Sequence, residues 1–148
     1  APLLLTQSLL PLLKGGDPAS RIVMIGAGMD KHAQPGTGSY GISKMALRRL
    51  VRQMSVEFDT MPDGPVVSLF QPGLVDTPGI RSHIKKAGDL NLPHAEWLAG
   101  RLEAGECLTA EQAASALVFT LNQVPDSDFH GAVFNGADLV DSLSFAGS

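Results

Sequence analysis

Three short apolar runs alternate with helix-patterned segments along this chain, and that alternation narrows the fold more than any other feature. Arg21-Ile22-Val23-Met24-Ile25 and Val66-Val67-Ser68-Leu69-Phe70 are short, continuous and rich in β-branched residues. That is the pattern of strands buried on both faces of a sheet. Ala132-Val133-Phe134 reads as a third short strand, followed by Asn135-Gly136. Helical signals precede each run, so the order is helix, strand, helix, strand, helix, strand. Such an order implies parallel strands joined by right-handed crossovers. The fold class is α/β.

The helical segments have recognisable limits. Ala1-Pro2-Leu3-Leu4-Leu5-Thr6-Gln7-Ser8-Leu9-Leu10-Pro11-Leu12-Leu13 lacks a basic leader and is too short to span a bilayer. It reads as a buried helix stopped at Lys14-Gly15-Gly16, and the chain is expected to begin inside an element. Gly26 to Gly38 is loop, and a second helix runs from Tyr40 to about Asp59. Met61-Pro62-Asp63-Gly64-Pro65 is a turn cluster. Leu74 to Leu108 is a long excursion with short helices expected around Ile80–Lys86 and His94–Glu103, the length of a functional flap. Thr109-Ala110-Glu111-Gln112 resembles a capping box that opens a helix to about Gln123.

Composition sets the remaining bounds. At 148 residues the chain is long enough for one compact domain with a real core. Eleven basic residues against fifteen acidic ones, with no Lys/Arg block, argue against nucleic acid or an anionic membrane as partner. A single cysteine, Cys107, excludes an internal disulfide and suits a reducing, cytoplasmic setting.

One stretch carries chemistry. From Tyr40 the positions Lys44, Leu47, Val51, Met54 and Phe58 recur at steps of four and three, one face of an amphipathic helix. Arg48, Arg49 and Arg52 fall mostly off it. An ammonium on a greasy stripe is costly to desolvate unless it is paired or used. A phenol one turn away can have its proton affinity lowered by that charge, so Tyr40 and Lys44 read as a tuned acid. The bland alternative is a packed tyrosine beside a snorkelling lysine.

These residues resemble the C-terminal half of the short-chain dehydrogenase/reductase family over nearly the whole chain. The family pattern is a strand, then a tyrosine with lysine four later, then a second strand closed by a Pro-Gly-x-Val-x-Thr loop. Here Ile22–Ile25, Tyr40 with Lys44, and Pro72-Gly73-Leu74-Val75-Asp76-Thr77 stand in that order, with Ser43-Lys44-Met45-Ala46-Leu47 in register. The short strand at Ala132–Phe134 is similar to the sepiapterin-reductase and benzil-reductase branch. The resemblance implies the C-terminal half of a Rossmann-like, doubly wound parallel sheet, with about three parallel strands and flanking helices.

It also implies an NAD(P)-dependent carbonyl reductase acting on a small-molecule carbonyl, with NADP or NAD as cofactor. Tyr40 would be the general acid, since a free phenol near pKa ~10 exchanges its proton poorly at neutral pH and needs help. Lys44 would give that help and bind the nicotinamide ribose. Gly73 would let the main chain approach the ring, and Val75 and Thr77 would hold the carboxamide. Trp97, Leu98 and Leu102 are candidate walls for the substrate. The helices 1–14 and 38–59 would form a homodimer or homotetramer interface.

Two departures temper that expectation. Ala27 stands thirteen residues before Tyr40, where the family has its catalytic serine. Losing one preorganised donor to a developing oxyanion costs on the order of 10²–10³ in rate. The family's glycine-rich phosphate turn would lie before Ala1, and Gly26-Ala27-Gly28 does not lead directly into a helix, which the dinucleotide fingerprint requires. The chain therefore reads as a single partial Rossmann-like domain, 1–148, a fragment lacking the dinucleotide-phosphate-binding half. By itself it is expected to be weak or inactive, and the strand at Ile22–Ile25 to be an exposed edge. The alternative is a non-catalytic remnant acting as an oligomerisation module.

Other residues receive plain readings. The histidines at 32, 83, 94 and 130 show no ligand spacing and are expected to be solvated loop residues, and Asp30-x-His32 is too little for a metal site. Cys107 reads as an idle thiol, Asp59 and Asp76 as surface carboxylates, and Thr77 equally well as a helix cap.

Overall fold

A computed structural model describes residues 1–146. Its helices are α1 (Pro2–Leu13), α2 (Gly38–Phe58), α3 (Pro78–Asp89), α4 (His94–Glu103), α5 (Ala110–Gln123), α6 (Asp126–Phe129) and α7 (Gly136–Ala146). The strands are β1 (Arg21–Ile25), β2 (Val66–Gln71) and β3 (Val133–Asn135). They form one sheet in the order β1-β2-β3, and both pairings are parallel, with Arg21 opposite Val66 and Leu69 opposite Val133. The α/β reading and the three strands therefore hold.

Alternation along the strands divides the core. Ile22, Met24, Val67 and Leu69 pack with Val51, Met54 and Phe58 of α2. This is the lower part of the stripe read from the sequence, and it becomes more buried away from Tyr40. Ser68 and Phe70 point to the opposite face and are almost wholly buried. Arg21 links β1 to α5: its guanidinium donates to the carbonyls of Leu121 and Val124 at 2.7 Å each and pairs with Asp126 at 2.6 Å. A cation there satisfies carbonyls that the helix end leaves free. The capping box of α5 is formed in both directions, Gln112 N donating to Thr109 Oγ1 and Thr109 N to Gln112 Oε1.

Two burial expectations are corrected. β1 was expected to be buried on both faces, yet only Met24 is buried and Ile25 is 43% exposed. The reason is topological: β1 lies at the edge and has one neighbour, which agrees with the exposed edge anticipated for Ile22–Ile25. Helix α1 was read as buried, but Thr6 is its one buried residue, and Leu4 and Leu12 are 68% and 80% exposed. Leu10 alone of its leucines packs against the core cluster. Helix α6 and helix α7 were not anticipated. No helix among the described residues is long and apolar enough to cross a membrane.

Candidate functional site

The carboxyl ends of β1 and β2 and the first turns of α2 converge, and all five sequence-nominated residues lie on these segments or on the loop leaving β2. Lys44, half-buried, sends Nζ to the carbonyl of Ile25 at 2.9 Å, the last residue of β1. The same ammonium lies 5.6 Å from the centre of the Tyr40 ring. The pair thus sits together at the sheet's carboxyl edge, with Tyr40 half exposed (49%).

Partial burial pushes the Tyr40 phenol above its ordinary value of 10.0. Burial disfavours the charged phenolate, and one N–H of the Lys44 ammonium is engaged by the Ile25 carbonyl. Tyr40 is therefore a phenol that holds its proton at neutral pH.

The loop after β2 is built for close approach. Gly73 has φ +88°, a conformation open chiefly to glycine. Val75 bridges Leu108 in parallel register, through Leu108 N to Leu74 O and Asp76 N to Leu108 O, each 2.9 Å. In such a bridge the neighbours of Val75 make the bonds, which turns its own N–H and C=O outward. Thr77 caps α3, its Oγ1 accepting from Ile80 N at 3.3 Å, so the cap reading is correct while its hydroxyl proton stays available. These are groups that suit a flat amide. Gly26-Ala27-Gly28 does not supply a phosphate-binding turn, because it runs into a three-residue 3₁₀ turn ending at Asp30 rather than into an α-helix.

The flap reading also finds support in packing. Helices α3 and α4 pack chiefly on each other. The bridge at Val75 and Leu108 closes the base of their excursion, beside a bidentate pair from Arg81 to Asp76 at 2.6 and 2.7 Å. A cleft of about 250 Å³ lies between Gln34 and Pro35 on one side and Pro93, His94 and Trp97 on the other. Trp97 lines it while remaining 57% exposed; Leu98 and Leu102 are not among its walls. The larger cleft, about 380 Å³ and lined by Phe58, Asp59, Pro65, Val66 and His130, opens at the amino end of β2, away from Tyr40.

The histidine expectation is wrong for three of the four residues, since His83 also lies on helix α3 rather than a loop. His94 is buried and faces His83 across α3 and α4, with Nε2 atoms 3.1 Å apart. His130 accepts a bond on Nδ1 from Val67 N at 3.2 Å, so its Nε2 bears the proton that reaches Ser55 O at 3.0 Å. Both are structural ties that spacing alone does not disclose. No group of three or more His, Cys, Asp or Glu among the described residues could hold a metal ion. Cys107 keeps its proton, its thiol raised above 9.0 by burial and then by Asp76.

Sequence reasoning also passed over Asp30. It is buried, pairs with Arg48 Nε, and accepts from Gln71 Nε2 at 3.1 Å. The available signal was Arg48, one turn beyond Lys44 on the helix.

Comparison with known proteins gives the family and the fold. A family model described as short chain dehydrogenase matches residues 1–87. No curated protein matches the sequence significantly. Among solved structures, a short-chain dehydrogenase/reductase from Saccharomyces cerevisiae is 20% identical with a TM-score of 0.67, over 82% of this chain and 48% of that one. The promiscuous reductase LugOII, which catalyses ketoreduction at C1 during lugdunomycin biosynthesis, is 24% identical with a TM-score of 0.65, over 92% and 49%. A protein from Beutenbergia cavernae, provisionally named an NAD(P)-dependent gluconate 5-dehydrogenase and carrying NADP at low occupancy, is 24% identical with a TM-score of 0.57, over 88% and 47%. The chain spans about half the length of these structures.

Proposed function

The chain belongs to the short-chain dehydrogenase family, and from that premise we propose that it supplies the nicotinamide-facing half of an NAD(P)-dependent carbonyl reductase. One observation carries the reading. The amine of Lys44 is seated on the carboxyl end of β1 beside Tyr40, and the open-faced loop Gly73–Thr77 leaves the adjacent end of β2. Ligands of open parallel sheets bind at the carboxyl ends of the strands. The bound nicotinamide would supply hydride.

The residues of the chain then divide the remaining work. Tyr40 donates its phenolic proton to the substrate oxygen as negative charge builds there. Lys44, already held at the strand end, hydrogen-bonds the ribose and stabilises the phenolate left behind. Val75 offers outward backbone groups and Thr77 a hydroxyl to the carboxamide, while Gly73 lets them come close. Trp97 borders the cleft next to the flap and contacts the carbonyl substrate. Ala27 offers no hydroxyl to the carbonyl oxygen, and among the described residues Gly26-Ala27-Gly28 forms no helix-capped cradle for phosphates, so turnover by this chain alone is weak. NADP or NAD is the cofactor, the Beutenbergia cavernae relative carrying NADP, and the setting is a reducing one, such as the cytoplasm.

The test is oxidation of NADPH by the protein in the presence of dicarbonyl or pteridine-like ketones. Slow turnover that disappears in both Tyr40→Phe and Lys44→Ala is expected. Turnover that survives both substitutions rejects the reading.

A second reading has its own support. Leu3, Leu4, Leu5, Leu9 and Leu12 of α1 are all 40% exposed or more, and Ile42 and Met45 of α2 are 71% and 58% exposed. Apolar surface on that scale marks an interface. A non-catalytic role as a self-association module through α1 and α2 predicts a dimer or tetramer in analytical ultracentrifugation together with no turnover at all. A clean monomer at high concentration removes it.

A further inference from the structure

We propose that Asp30 is a positioning residue for the Tyr40 and Lys44 pair, clamping the loop after β1 between helix α2 and the end of β2. The proposal rests on reading that pair as the site, and its evidence is separate from theirs. Asp30 ends the 3₁₀ turn and its carboxylate is wholly enclosed. One oxygen, Oδ2, takes both Nε of Arg48 and, at 3.1 Å, the amide of Gln71.

Three segments meet at this one oxygen. Arg48 lies one helical turn past Lys44, so successive turns of α2 hold both ends of the loop's first stretch: Lys44 at Ile25 O, 2.9 Å, and Arg48 at Asp30. Between them the helix presses close. A Cβ built on Gly41 would stand 3.1 Å from the carbonyl of Met29. The third segment is β2, because Gln71 is its last residue and leads directly to Pro72 and Gly73. The loop is also pinned at its start, where Gly26 N donates to Phe70 O at 2.8 Å.

The clamp has no substitute. Asp30 Oδ1 and Arg48 Nη2 are buried without another protein partner, so carboxylate and guanidinium depend on each other. Taking the carboxylate away leaves a guanidinium with no anion in a poorly solvated place and lets that turn of α2 lift. Asp30 touches neither the phenol nor the amine. It acts through Arg48 and the helix.

The chain carries its own reporter. Tyr40 is its only tyrosine, so phenolate absorbance during an alkaline titration reports that ring alone. Its value stands above 10.0 because the ring, carried on the first turn of α2, is partly buried. In Asp30→Asn, which keeps size and loses charge, the midpoint should fall back toward 10.0 and the amides of Gly41–Lys44 should exchange faster. Arg48→Lys should move both part of the way. Phe129→Leu, a core change in another part of the molecule, should lower stability without moving the Tyr40 midpoint.

An unmoved midpoint in both Asp30→Asn and Arg48→Lys overturns the proposal, as does an equal shift in Phe129→Leu. If Asp30→Asn does not fold, Arg48→Lys and Gln71→Met carry the same measurement, and an unmoved midpoint in both overturns it. No nicotinamide enters the experiment. A failed turnover assay leaves the clamp standing, and a failed titration leaves the reductase reading standing.

Discussion

His83 and His94 meet tip to tip across α3 and α4. Their Nε2 atoms are 3.1 Å apart while the ring centres are 5.2 Å apart with planes 16° from parallel. The centres are farther apart than the nitrogens by about the width of one ring, so the rings lie end to end in nearly one plane. One proton is shared between the two nitrogens. His94 Nδ1 is buried with no partner, and a stranded N–H is the rarer and costlier fault. His94 should therefore carry its proton on Nε2 and donate to His83. Long-range ¹H–¹⁵N spectra at neutral pH test this; an Nδ1–H tautomer at His94 contradicts it. His83→Ala should lower stability by about 1 kcal/mol in denaturant unfolding.

Tyr40 gives stability an alkaline limb. Its folded-state value lies above 10.0 because of burial, so folding favours the protonated phenol. That contribution is complete below 10.0, the unfolded value, and is lost as pH rises through the folded value. Tyr40→Phe should remove this part of the pH dependence. The comparison is of urea midpoints for the two proteins from neutral pH upward, and parallel curves would reject it.

Cys107 should be slow to alkylate at neutral pH. Burial first, then the Asp76 carboxylate, hold the thiol above 9.0, and only the thiolate attacks. Asp76→Asn removes the raising charge and frees Arg81, which lowers the thiol's value. Iodoacetamide should then react faster at a fixed pH. An unchanged or slower rate would show that the carboxylate has no hold on the sulfur.

Phe129 anchors the face of the sheet away from α2. It is wholly buried, 6.0 Å from the Phe134 ring, with the Arg21 guanidinium 4.8 Å from its centre. Phe129→Ala should cost about 3–5 kcal/mol, seen as a lower denaturant midpoint. A loss under about 1 kcal/mol, the scale of a lone hydrogen bond, would mean the pocket collapses around the gap.

What the sequence disclosed follows from the range of each force. Periodicity and caps act over one or two turns, so α2, the capping box of α5 and the limits of α4 were legible, while α3 was placed but drawn short at both ends. The parallel order followed from alternation alone. Burial was less legible, because Leu4 and Leu12 are as apolar as any core leucine and only the neighbouring layer decides where they go. The ties of His94, His130 and Asp30 were hidden for the same reason. Each joins residues on separate elements, His130 to Val67 and Ser55, Asp30 to Arg48 and Gln71. The Tyr40 and Lys44 spacing was visible, but the seat of the ammonium on the Ile25 carbonyl needed coordinates.

The short parallel bridge between Val75 and Leu108 makes everything strung between those two residues a detachable loop, entered and left at neighbouring points. Because the free energy of closing a loop grows only slowly with its length, that stretch is free to lengthen, shrink or change character while the strands beneath keep their register. Exchanging it wholesale for an unrelated helical hairpin should leave cooperative unfolding intact.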